Sequence, residues 1–217
     1  MSVVVKICGL STCDTLEAAV AAGADMVGFV FFPASPRHVG LDVAADLGKQ
    51  VAGRAAKVAL TVDASDALIR DVVEILRPDL LQLHGHESPE RVRALKQMFG
   101  LPVMKAIPVA TAADLAVLPA YAAADRILFD ARPPKDATRP GGLGTPFDWE
   151  LLRDLDLALP FMVSGGIHAD NVAEALRVTR AGGVDVSSGV EHAPGAKDPD
   201  MIRSFIRAAR ASEELMT

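Results

Sequence analysis

Cysteine is scarce in this chain: 217 residues contain two, both within VKICGLSTCD at 5–14. Cys8 and Cys13 are spaced C-x4-C with no neighbouring partners, so the pair does not read as a zinc set. Basic runs are missing as well. With a formal net charge of -6 and no lysine- or arginine-rich stretch, nucleic acid is not an expected partner. No apolar run approaches the roughly 20 residues that span a bilayer, so no membrane partner is expected either. The start, MSVVVKICGL, lacks the layout of a signal peptide. These absences point to the cytoplasm, where thiols stay reduced and a Cys8–Cys13 disulfide is not expected. Linkers, charge blocks and low-complexity segments are absent too, and one domain spanning 1–217 is expected.

What is present is apolar sequence in a regular rhythm. Half of the residues are hydrophobic and 23% are charged, which suits a folded globular chain and is too apolar for disorder. A chain of this length buries roughly 70% of its unfolded surface and needs no staples. Runs rich in Val, Ile and Phe predict strands at Val3–Ile7, Met26–Phe31, Lys57–Thr61, Leu80–Leu83, Val103–Ile107, Arg126–Phe129, Phe161–Val163 and Val184–Val186. Helical patterns fill the gaps. Asp14-Thr-Leu-Glu17 reads as a capping box, and Ser88-Pro89 and Asp198-Pro199 each place a capping residue before a first-turn proline. Further helical segments are expected at Asp66–Arg77, Thr111–Leu118 and Asp170–Val178. Near-continuous apolar strands imply a sheet covered on both faces. Eight alternating units most simply close into a (β/α)8 barrel of the TIM type; an open doubly wound sheet is the alternative. The longest irregular stretch, Ala131 to Pro146, is rich in Pro and Gly and long enough to be a functional loop.

In such a barrel the active site lies at the C-terminal strand ends, and there the polar residues of this chain collect: Lys6-Ile-Cys8-Gly9, Ser35-Pro36-Arg37, Asp63, Gln82-Leu-His84-Gly85, Lys105, Asp130-Ala-Arg132, Ser164-Gly165-Gly166 and Ser187-Ser188-Gly189. The opposite ends carry plain turns such as Ala22-Gly23-Ala24-Asp25. This asymmetry favours an enzyme over a scaffold. Alternation puts Lys6 and Cys8 on one side of their strand, and Gln82 and His84 together on the barrel interior. Cys8 is either a buried filler or a working thiol; the cation beside it favours thiolate and hence proton abstraction. Cys13 reads as a small filler ahead of the Asp14 cap. Asp130 is either a loop-capping carboxylate or a general acid. Arg37 is a candidate anion clamp, its planar guanidinium matching a carboxylate, or else an ordinary surface arginine. Gly165-Gly166 and Ser188-Gly189 follow the seventh and eighth strands, where barrels often hold phosphate on backbone N–H groups. Gly141-Gly142-Leu143-Gly144 follows a proline-rich loop rather than a strand, so it is no dinucleotide fingerprint and reads instead as a lid hinge. His84 and His86 straddle Gly85 while His38, His168 and His192 lie on separate loops, which suggests no metal. Trp149 is expected to start a helix capped by Asp148, its indole on the barrel.

Taken together, KICGL at 6–10, GFVFFPASPR at 28–37, LLQLHG at 80–85, LFDARPP at 128–134, GGLGTPFDW at 141–149, SGGIHADNV at 164–172 and GVDVSSGVE at 183–191 closely resemble the phosphoribosylanthranilate isomerase family of tryptophan biosynthesis. The resemblance covers essentially the whole chain, in order. It implies a (β/α)8 barrel and a cofactor-independent Amadori rearrangement of a phosphorylated aminosugar, with Cys8 as general base and Asp130 as general acid. It further implies that Arg37 holds the anthranilate carboxylate and that Gly165, Gly166, Ser188 and Gly189 hold the phosphate. Gln82 and His84 would shape the pocket, Gly142 would let the glycine loop close, and Asp185 would contact the sugar or the anthranilate amine. Where the family has a small hydroxyl residue in that loop this chain has Leu143, which could instead cap the aromatic ring. A monomer and a homodimer are both compatible with the resemblance. The rival readings are another phosphate-binding barrel, such as the aminoaldose isomerase of histidine biosynthesis or indoleglycerol-phosphate synthase, and a non-catalytic sugar-phosphate binding barrel.

Overall fold

The computed structural model describes residues 2–134, 140–144 and 146–212; residues 135–139 and Thr145 of the expected irregular loop lie outside them. Eight parallel strands close in sequential order into a barrel: β1 (Val4–Cys8), β2 (Met26–Phe31), β3 (Ala56–Thr61), β4 (Leu80–Leu83), β5 (Val103–Val109), β6 (Arg126–Ala131), β7 (Phe161–Val163) and β8 (Gly183–Val186). β8 returns to β1 through Val4↔Gly183 to Ile7↔Val186, which closes the ring. All eight expected strands are present, and the open-sheet alternative is ruled out.

The outer layer is built from α1 (Cys13–Ala21), α2 (Leu41–Val51), α3 (Asp66–Leu76), α4 (Pro89–Phe99), α5 (Val172–Thr179) and α6 (Pro199–Ala211). Local chemistry explains their starts. Ser88 and Asp198 accept hydrogen bonds from first-turn N–H groups, each followed by proline, whose missing donor costs nothing there. α1 begins earlier than expected. Thr12, not Asp14, is its cap, the hydroxyl accepting from Thr15 N–H at 3.4 Å. Asp14 instead places its charge in the first turn, where the helix dipole favours it. Cys13 is consequently the exposed first residue of α1 rather than a filler.

Two crossovers are not α-helical. Ala112–Tyr121 and Trp149–Leu152 are 3-10 segments. The first contains Pro119, which cannot donate in a helix interior. Asp148 caps the second as expected, and Trp149 packs half-buried against the core. Two elements were not anticipated: α2, which starts at Gly40 without a side-chain cap, and a small antiparallel hairpin, β9 (Glu191–Ala193) and β10 (Ala196–Lys197), after β8.

Strand parity sorts the core into two layers. Val5, Ile7, Val27, Phe29, Leu81, Leu83, Phe129 and Val184 face outward and pack under the helices. Val58, Leu80, Met104, Leu128 and Met162 fill the lower lumen, while Cys8, Val30 and Leu60 form a separate apolar cluster above. The floor below the mouth is thus dry and close-packed, and chemistry is confined to the C-terminal end.

Candidate active site

Inward parity on β1 puts Lys6 in the lumen beneath Cys8. The Lys6 ammonium donates to Asp185 Oδ1 on the adjoining β8 at 2.8 Å, both side chains being almost inaccessible. Above this pair a half-open pocket of about 640 Å³, space open to solvent included, lies at the strand ends. Cys8, Asp130, Arg37 and His84 line it, and so do Asp185, Gly142, Gly165, Gly166 and Ser188. Nine of the residues expected from sequence therefore converge. Gln82 and Gly189 do not line it. Gln82 lies fully buried behind His84. Gly189 is pressed against the Ile167 carbonyl so closely that a Cβ would collide, so only glycine fits there. Leu143 is exposed and absent from the wall of this cavity.

Asp130 is held by one oxygen and presents the other. Its Oδ1 accepts from Ala131 N–H at 2.9 Å and from Ser164 Oγ at 3.1 Å. Its Oδ2 stands 3.1 Å from His84 Nε2. The Gln82 amide in turn reaches His84 Nδ1 at 2.9 Å, which fixes the ring plane. Gly165 adopts φ 82°, and a Cβ there would lie 2.6 Å from Ala131 N and 2.9 Å from Asp130 Oδ1, so only glycine lets this loop approach the acid. Ser164, one of the polar strand-end residues, and Gly141 of the glycine loop thus belong to the surroundings of Asp130; a Cβ on Gly141 would fall 2.5 Å from Oδ2.

Cys8 is dry. Burial is the largest influence and pushes the thiol above its ordinary value, Lys6 pulls it down, and Asp185 pushes it up again. The neighbouring cation favours thiolate, as expected, but burial is the larger influence. Burial also acts to lower Lys6, yet Asp185 and Cys8 more than offset it and the ammonium is held above its usual range.

Arg37 is not a loose surface arginine. It is buried, with Nε donating to Glu191 Oε1 at 2.7 Å and Nη2 to Glu191 Oε2 at 2.8 Å. Its Nη2 also donates to the Gly142 carbonyl at 3.2 Å, tying it to the glycine loop. Asp185, expected to meet the ligand, is at the same time the partner of Lys6. Lys105, one of the polar strand-end residues, points away from the lumen and pairs with Glu87 at 2.8 Å. Glu191 and Lys197 escaped the sequence reading. Glu191 closes the GVDVSSGVE motif, but its partner Arg37 is 154 positions away, and no local pattern reveals such a pair.

Among the described residues no group of three or more His, Cys, Asp or Glu side chains is placed to hold a metal ion, and no helix is long and apolar enough to cross a membrane. A thiol and a carboxyl group sharing one pocket with an arginine and two glycine-rich loops, at the C-terminal strand ends of a closed (β/α)8 barrel, define the class: a barrel enzyme with its site in the usual place. The family model described as N-(5'phosphoribosyl)anthranilate (PRA) isomerase matches residues 5–208. The chain belongs to that family. It is 88% identical, over the full length of both proteins, to N-(5'-phosphoribosyl)anthranilate isomerase of Rhodopseudomonas palustris strain BisB5. It is similar to the crystal structure of phosphoribosyl anthranilate isomerase from Thermotoga maritima, with 35% identity and a TM-score of 0.86 over 96% of this chain and 99% of that one. A further structure of phosphoribosyl anthranilate isomerase, in complex with reduced 1-(o-carboxyphenylamino)-1-deoxyribulose 5-phosphate, matches with 33% identity and a TM-score of 0.83, covering 96% and 99% of the two chains.

Proposed function

We propose that this chain, as one barrel domain, converts N-(5'-phosphoribosyl)anthranilate to 1-(2-carboxyphenylamino)-1-deoxyribulose 5-phosphate, with Asp130 as general acid and Cys8 as general base. Asp130 donates its proton to the ring oxygen. The C1'–O4' bond breaks and the nitrogen lone pair forms the C1'=N bond of the Schiff base. Cys8, as thiolate, takes the C2' proton; the C–H pair forms C1'=C2' and the C=N π pair returns to nitrogen. The enolamine becomes the ketone by gaining a proton at C1' and losing one from O2', which restores Cys8 and Asp130. Substrate and product are isomers, and no external electron acceptor enters the balance.

The observation that carries this reading is the convergence of Cys8 and Asp130 on one cavity with Arg37 at its wall and Gly165, Gly166 and Ser188 at another side. Arg37 is suited to the ring carboxylate, since a guanidinium matches a carboxylate in plane and charge. The glycine loops after β7 and β8 are suited to the phosphate, their backbones being open to close approach. His84 and Gln82 position the acid rather than the substrate. Lys6 makes the thiolate attainable inside a dry site, because a buried thiol without a cation would hold its proton more tightly still.

The test is turnover followed by the change in anthranilate fluorescence. Cys8→Ser and Asp130→Asn should each lower kcat on the order of 10² or more, the usual size of an acid–base contribution. Near-normal turnover in both variants, with product analogues still bound, would overturn the assignment.

A further inference from the structure

The guanidinium of Arg37 is already engaged. Glu191 takes its Nε–Nη2 edge with two short bonds, 2.7 and 2.8 Å, the geometry in which arginine usually grips a carboxylate. Glu191 is itself fixed. Lys197 Nζ donates to its Oε1 at 2.6 Å, and Gly195 N–H from the hairpin turn donates to its Oε2 at 3.2 Å. Lys197 also donates to the Ser187 carbonyl at 2.9 Å and to Ser187 Oγ at 3.2 Å, and that hydroxyl donates to the Cys8 carbonyl at 3.2 Å. The Arg37, Glu191 and Lys197 side chains are 5%, 3% and 1% exposed. Counted at formal charge, two cations and one anion share this buried cluster, one positive charge in excess, with burial lowering the Lys197 ammonium and Glu191 opposing that loss. Burial favours loss of the Glu191 charge, but Arg37 and Lys197 hold its carboxyl below the usual range.

We propose that Glu191 is a positioning residue: it holds Arg37 by the Nε–Nη2 edge, the Gly142 carbonyl takes the second Nη2 hydrogen, and Nη1 is thereby set to meet a ligand carboxylate, which makes the site select carboxylate-bearing arylamino sugars. The hairpin β9–β10 is the strap that carries the clamp, and its Gly195 rests against the Pro36 carbonyl with no room for a Cβ. Each charge has a distinct task. Without Glu191, Arg37 and Lys197 would face each other as two buried cations. Without Lys197, Glu191 would neutralise Arg37 and leave no net charge for the ligand. The proposal rests on the reading of Arg37 as the carboxylate-binding residue.

The experiment measures calorimetric binding of two stable product analogues: reduced 1-(2-carboxyphenylamino)-1-deoxyribulose 5-phosphate and its counterpart lacking the ring carboxylate. The unsubstituted protein should prefer the carboxylate by about 10- to 100-fold, the range of a charge-assisted hydrogen-bonded contact. Glu191→Gln should reduce that preference to about threefold or less while binding of the second analogue changes little. A purely structural role would weaken both analogues alike. Glu191→Gln/Lys197→Met keeps the net charge of the cluster and avoids two unscreened cations. It should lose the preference equally, and it carries the test if the single variant does not fold. A folded form of either variant that kept the original preference would overturn the clamp. Arg37→Met separates the two levels. If it abolishes the preference while the Glu191 variants retain it, the clamp alone is wrong. If Arg37→Met retains it, or the unsubstituted protein shows none, the role of Arg37 fails and the clamp with it.

Discussion

Lys6 and Lys105 are both fully buried on barrel strands, and each is 2.8 Å from an acid. They face opposite ways. Lys105 shares the parity of Val103 and Ile107 and points into the layer between strands and helices. Its ammonium donates to the Leu83 carbonyl at 3.3 Å, the Gly85 carbonyl at 2.7 Å and Glu87 Oε2 at 2.8 Å. A lysine has three donors, so none is left for a ligand. Glu87 also accepts from the N–H groups of Asp63 and Gly85, which makes the pair a staple for the loop after β4. Lys6 has Asp185 on one side and the Cys8 thiol on the other, under the cavity. Residue type, burial and pairing are alike; the side of the strand decides whether the buried charge holds a loop or lies under the cavity.

The largest effects come from breaking each pair in turn. Lys6→Met and Lys105→Met each strand a buried carboxylate, and each should cost about 3–5 kcal/mol in denaturant unfolding. Activity per folded molecule should separate them. Lys6→Met should lower kcat on the order of 10², because Cys8 loses the cation that opposes its desolvation. Lys105→Met should stay within about threefold of the unsubstituted enzyme. Equal losses of activity would mean that sidedness does not sort the two lysines.

Removing both partners sharpens the contrast. Lys6→Met/Asp185→Asn and Lys105→Met/Glu87→Gln bury no unpaired charge, so both should recover most of the lost stability, a few kcal/mol. Only the second should also have ordinary turnover. Recovery of kcat in the first would show that Lys6 acts through Asp185 and not on the thiol.

A smaller effect concerns pH. In a Cys13→Ser background the remaining thiol is Cys8, whose ionisation is followed by thiolate absorbance. Burial raises it, so the midpoint should lie above the reference of about 8.5, and the rising limb of kcat/KM should follow it because the base acts when deprotonated. The stability sign is the same for both groups. The folded thiol binds its proton more tightly than the unfolded one, so stability falls as pH climbs from about 8.5 toward the folded value. Lys6, raised above about 10.4, adds a second loss as pH rises through its own folded value. A thiolate midpoint below 8 would contradict the balance of burial over Lys6.

The parity argument that separates these lysines was available from the letters. It places Gln82 and His84 inward, and the same alternation turns Lys105 outward with Val103 and Ile107. The eight strands were legible because parallel strands covered on both faces are apolar throughout. The hairpin was not, since Glu191–Ala193 and Ala196–Lys197 are too short to display a period. The start of α1 was misplaced because Thr12 and Asp14 are both capping types, and Thr12 is the one whose hydroxyl reaches a first-turn N–H. Cys8, Arg37, His84, Asp130, Gly165, Gly166 and Ser188 could be placed by strand ends alone, whereas Gly142 and Asp185 came from the family resemblance. What fastens Arg37 could not, because long-range ion pairs leave no local signature.

The smallest effect tests the support of the acid itself. With its amide N–H donated to His84 Nδ1, Gln82 leaves Oε1 buried and without a partner. That arrangement puts the ring proton on Nε2, where it donates to Asp130 as carboxylate. Turning the amide over lets Oε1 accept from Nδ1–H and leaves Nε2 to accept from Asp130 as the acid. On the proposed role of Asp130 as the acid, the two arrangements would match its states after and before proton donation, and Gln82 can serve both because its amide carries a donor and an acceptor. Gln82→Leu keeps the volume roughly and removes both. It should lower kcat by roughly two- to tenfold, the equivalent of one hydrogen bond of about 0.5–1.5 kcal/mol, with KM unchanged since Gln82 does not touch the cavity. A change confined to KM would move Gln82 from the support of Asp130 to the shaping of the pocket wall.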